Sequence, residues 1–139
     1  MDRLQFLRAA DRYDSGSEGI VIPIRIVARG QTLQISAILD TGSEFCMFDH
    51  GVADSLGIDV ESGIPLRLRT LAGSFTAYGR EVTLRTYNQE WSATVYFHGQ
   101  GPRIVPNFLG RTGWLDRIRL GLVHYDQQIY VEQYDELAN

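Results

Sequence analysis

The chain has 139 residues, the length of a single domain that buries roughly two thirds of its extended surface on folding. Hydrophobic residues at 44% and charged residues at 22% exclude a disordered or fibrous protein. The formal net charge is -4 and all 13 basic residues are arginines scattered among carboxylates, which argues against a nucleic-acid partner, since such binding needs a basic face that releases counterions.

Met1 to Tyr13 alternates Leu and Phe with Asp and Arg and holds no apolar stretch long enough for a signal peptide or a membrane span, so no membrane association is expected. The small polar run Asp14 to Gly19 reads as a linker, which places an arm at residues 1–18, a folded body at 19–132 and a tail at 133–139. Ile20 to Val27, the turn signal Arg29-Gly30 and the alternation from Thr32 to Leu39 predict a hairpin. Val52, Ala53, Leu56 and Ile58 predict one short helix over Gly51 to Ile58, closed near Gly57.

A second hairpin is expected where Ile64, Leu66 and Leu68 alternate with polar residues, Ala72-Gly73-Ser74 interrupts, and a strand pattern resumes from Phe75. Val82 to Tyr87 and Trp91 to Phe97 read as strands about a turn at Asn88 to Glu90. Gly99 to Pro106 is turn-rich, Gly110 to Ile118 suggests a short helix, and Gly121 to Val131 reads as two strands around Asp126-Gln127. Many short strands with hardly any helix predict an all-β barrel or sandwich. A lone cysteine, Cys46, forbids an intrachain disulfide, gives no sign of an oxidising compartment and leaves the cytoplasm as the default location.

The chemically informative run is Ala37-Ile38-Leu39-Asp40-Thr41-Gly42-Ser43, an acidic residue where an apolar strand breaks into a tight glycine turn. A solvated turn Asp needs no such apolar approach, so the placement marks function more than folding. Gly42 lets the backbone fold back so that its N–H points at the carboxylate, and Thr41 and Ser43 bring hydroxyls beside it. His50, His98 and His124 fit no ordinary zinc spacing, and Cys46 between Phe45 and Met47 reads as a packed thiol, so no metal and no cofactor are expected.

From about Gly19 to Glu132 the chain resembles the retropepsin-like aspartic peptidases, the single-lobe family of the retroviral proteases and their small bacterial relatives. The pieces that carry the resemblance are the hairpin feeding Asp40-Thr41-Gly42-Ser43, the segment Val52-Ala53-Asp54-Ser55-Leu56-Gly57-Ile58, and Phe108-Leu109-Gly110-Arg111 followed by Trp114 and Leu115. The last matches the family's second signature, whose strand packs behind the catalytic turn.

The resemblance implies a closed all-β acid-protease barrel with one or two short helices. It implies catalysis by Asp40, with Thr41 bracing the turn of a second subunit and Gly42 holding the carboxylate. Leu68 to Gly79 would correspond to the flap, with Leu71, Ala72, Gly73, Ser74 and the floor residue Ser43 meeting a polypeptide substrate. Ser43 stands where retroviral members usually carry Ala, and its hydroxyl is expected to favour the ionised form of Asp40.

This chemistry needs two carboxylates sharing a proton, and one chain offers one. Asp14-Ser15-Gly16 follows Arg12-Tyr13 instead of an apolar strand and leaves no room for a second lobe. A homodimer pairing Asp40 with its symmetry mate is therefore expected. The alternative is a catalytically silent dimeric module of the same fold that binds peptide without turnover.

Overall fold

The computed structural model describes residues 3–70, 73–101 and 105–134. Its strands in chain order are β1 (Asp11–Arg12), β2 (Asp14–Gly16), β3 (Gly19–Ala28) and β4 (Gln31–Leu39), then β5 (Met47–Phe48) and helix α1 (His50–Ser55). There follow β6 (Ile64–Thr70), β7 (Gly73–Thr86), β8 (Gln89–His98), β9 (Phe108–Leu109), β10 (Ile118–Val123) and β11 (Gln128–Gln133). The fold is all-β.

The central hairpin forms because Arg29 and Gly30 both take positive φ, 52° and 75°, which turns β3 directly back into β4 with Ala28 opposite Gln31. Ile22, Ile24 and Ile26 of β3 are at most 1% exposed, whereas the intervening Pro23 and Arg25 face solvent. Each buried Ile contributes roughly 1.5–3 kcal/mol, so a one-residue slip would turn the whole set outward and is strongly disfavoured.

The larger sheet runs β2-β3-β4-β9-β5-β8-β7-β6, and an additional pairing of β3 with β7 joins its two sides into a ring of hydrogen-bonded strands. Inside that ring lie Phe48, Leu84, Val95, Phe97, Leu109 and Trp114, all fully buried. A second sheet, β1-β11-β10, adds Ile129 and Val131 to the same core.

Three expectations change. Asp14–Gly16, read as linker, is a strand paired with Gly19–Val21, so the chain before Gly19 is tied into the larger sheet. The helix expected over Gly110 to Ile118 is reduced to a three-residue 3-10 turn, Leu115–Arg117, because Gly113 at φ 99° and Trp114 at φ -129° break the helical path. At the second hairpin Thr70 pairs with Gly73, so Gly73 and Ser74 belong to β7 instead of the tip; Leu71 and Ala72 lie outside the described residues.

Candidate active site

Asp40 follows β4 directly, and β4 is locked in place by β9, which pairs with it in parallel through Ile38 opposite Phe108 and Leu39 opposite Leu109. The lock continues into the turn: the Asp40 N–H donates to the Leu109 carbonyl at 3.0 Å. Gly42 N–H then donates to Asp40 Oδ1 at 3.0 Å, and Ser43 N–H to the Asp40 carbonyl at 3.2 Å. The carboxylate is thus oriented by its own loop, as expected for Gly42.

Behind the turn, residues 43–46 wrap around residues 110–112. Arg111 N–H donates to the Ser43 carbonyl at 2.9 Å and Thr112 N–H to the Glu44 carbonyl at 2.8 Å. The Cys46 thiol sits between them, donating to the Thr112 carbonyl and accepting the Gly110 N–H. Burial pushes this thiol up to about 11, which keeps it protonated and unreactive at neutral pH. Gly110 is needed because a Cβ there would lie 2.3 Å from the Phe45 carbonyl oxygen. The second signature therefore packs behind the Asp40 turn.

Ser43 departs from expectation. Its hydroxyl donates to the Phe45 carbonyl at 2.7 Å, so its one proton is committed to bracing the loop and is not available to the Asp40 carboxylate. Thr41 and Gly42 are exposed and Asp40 is half-buried, so the turn presents an open face to solvent. Five surface clefts of about 200 to 330 Å³ lie elsewhere on the molecule, and none of the five is lined by Asp40.

The β6–β7 hairpin projects from the sheet. Pairing between β7 and β8 begins at Ala77 opposite His98, just beyond a Gly99 N–H bond to the Thr76 carbonyl at 3.2 Å, while Gly73 to Thr76 pair in register with β6. At its root Phe75 stacks on His98 with ring centroids 4.5 Å apart.

The three histidines are dispersed. His50 contacts Asp54 at 3.1 Å, His98 lies under Phe75, and His124 Nδ1 is 2.6 Å from the Tyr13 hydroxyl. Among the described residues no three His, Cys, Asp or Glu side chains converge as metal ligands.

Sequence reasoning missed a clamp beside the site. Asp49 caps α1, with Oδ2 accepting Gly51 N–H at 2.9 Å, while its Oδ1 accepts Val105 N–H at 3.1 Å and its own N–H donates to Asn107 Oδ1 at 2.9 Å. The clamp fixes the approach to β9, and through it the floor under Asp40. An Asp immediately before an apolar helical run is a readable N-cap signal.

A family model described as aspartyl protease matches residues 22–103, more than half of the chain and including the whole Asp40 turn. The chain belongs to the aspartyl protease family. Its fold is retropepsin-like: the crystal structure of a retropepsin-like aspartic protease from Rickettsia conorii matches with a TM-score of 0.63 at 15% identity, covering 94% of this chain and 96% of that one. No curated protein matches the sequence. Among the described residues no helix is long and apolar enough to cross a membrane.

Proposed function

We propose that this aspartyl protease family member is an endopeptidase that works as a homodimer, each subunit supplying Asp40 to one shared site. The observation that carries the reading is the Asp40 turn itself: a carboxylate fixed by Gly42 N–H at 3.0 Å, on a rigid floor, beside an exposed Thr41 and Gly42 that a second copy can meet. The open face supports an arrangement completed by a symmetry mate.

In that arrangement the two carboxylates hold one proton between them. The ionised Asp40 takes a proton from water, which attacks the peptide carbonyl, and the protonated Asp40 donates to the carbonyl oxygen. The pair titrates as a unit. The β6–β7 hairpin, with Gly73 and Ser74 and the adjoining Leu71 and Ala72, covers an extended polypeptide held against the floor at Ser43. Neither cofactor nor metal enters the reaction.

Subunit mixing tests the shared site. Adding Asp40→Asn chains to a fixed amount of wild type should lower peptide cleavage in proportion to the heterodimers formed, because each carries a single ionisable Asp40. Cleavage that stays constant while subunits exchange would assign the active site to one chain alone.

A further inference from the structure

We propose that the outer face of the barrel carries an oxyanion-binding cleft built on Arg25 and Arg85, which takes a phosphate or carboxylate group remote from Asp40. The strand register aligns Gln34 of β4, Arg25 of β3, Arg85 of β7 and Glu90 of β8 in one cross-strand row. Two arginines therefore stand directly opposite each other on the sheet, and like charges so placed destabilise it.

Each arginine turns its Nε to the neighbour on its far side. Arg25 Nε donates to Gln34 Oε1 at 3.3 Å, and Arg85 Nε donates to Glu90 Oε2 at 2.6 Å. Among the described residues the Nη nitrogens of both side chains have no hydrogen-bond partner. Gln34 is neutral, so two positive charges in the row face one carboxylate.

A surface cleft of about 230 Å³ opens at this row, lined by Pro23, Arg25, Gln34, Arg85, Tyr87 and Asn88. Its aromatic wall is fixed: Tyr87, at φ 54°, sits with Asn88 in the two-residue turn between β7 and β8, and its hydroxyl donates to the Arg12 carbonyl at 2.9 Å. The other nearby carboxylates, Asp11 and Asp14, act on Tyr87, whose pKa is raised by burial and by their charge. Asp40 lies six residue steps along the chain from Gln34, roughly 20 Å of extended strand, so the cleft is separate from the candidate active site.

An oxyanion between the two forks replaces repulsion with charge-assisted hydrogen bonds to Nη groups that otherwise face water. Phosphate and carboxylate share that chemistry.

The test is thermal denaturation of the full chain in sodium phosphate, in hexaglutamate peptide, and in sodium chloride at matched ionic strength. Wild type and Asp40→Asn should show a saturable rise in Tm over chloride, about 5 °C at ten times Kd, with one or both anions. Arg25→Gln should lose that rise, yet melt no lower than wild type in chloride, because the substitution relieves the like-charge pair. Response to phosphate alone identifies a phosphate group as the ligand, and response to the peptide alone identifies an acidic polypeptide. A rise equal to that in chloride, or one that persists in both Arg25→Gln and Arg85→Gln, would overturn the proposal.

Discussion

Gly110 and Phe45 touch so closely that a single added carbon cannot fit: a Cβ on Gly110 would lie 2.3 Å from the Phe45 carbonyl oxygen and 2.7 Å from its carbonyl carbon. The obstacle is backbone on both sides, since the Ser43 carbonyl oxygen is also 2.7 Å away. Gly110→Ala must push β9 off the Asp40 turn. Overpacking of this kind costs about 1–3 kcal/mol or more, read as a lower urea midpoint, and cleavage should fall further than stability because the floor under Asp40 moves.

Thr86→Val probes the core beneath that floor. Trp114 Nε1 donates to Thr86 Oγ1 at 2.9 Å, and both residues are fully buried. The substitution keeps the shape but strands the indole N–H, so it should cost about 1–3 kcal/mol by urea denaturation. A neutral result would mean the indole finds another acceptor.

Asp49→Ala removes an N-cap and the anchor of Val105 together. Loss of a cap costs typically about 1 kcal/mol, and the freed loop adds to it. Hydrogen exchange should speed up in α1 and at Val105, with the core strands unchanged.

Cys46 gives a pH signature. The folded chain keeps the thiol proton up to about 11, against an ordinary value of 9.0, because burial outweighs the opposing pull of the Gly110 N–H. Its effect on stability is therefore nil below pH 9 and unfavourable above it, growing by up to about 2–3 kcal/mol as pH rises from 9 toward 11. Urea melts of wild type should weaken across that window more steeply than those of Cys46→Ala, and a thiol reagent at pH 8 should label the native protein only as fast as it unfolds.

Much of the site was legible because it rests on backbone constraints that few residues satisfy. Asp40-Thr41-Gly42 ends an apolar strand, and Gly110 permits a contact that any side chain would block. The all-β class followed from the alternation of β3, β4 and β8. What escaped is written in pairing instead of pattern: Asp14–Gly16 is polar and glycine-ended, and becomes a strand only because β3 offers it an edge. The N-terminal arm is similar, since Phe6 packs on Tyr130 with centroids 5.1 Å apart and over the missing side chain of Gly121, and the Arg8 N–H reaches the buried Glu132 at 2.6 Å. Ser43 was assigned to Asp40 because sequence proximity cannot tell which acceptor a short hydroxyl chooses.

The most direct measurement incubates the purified chain and its Asp40→Asn variant with a diverse peptide mixture from pH 4 to 7 and reads products by mass spectrometry, after confirming that both chains have the same mass in solution. The shared-carboxylate mechanism predicts cleavage by the wild-type dimer that disappears in the variant. A wild-type dimer that cuts nothing at any pH, or a variant that cuts as well as wild type, would contradict it.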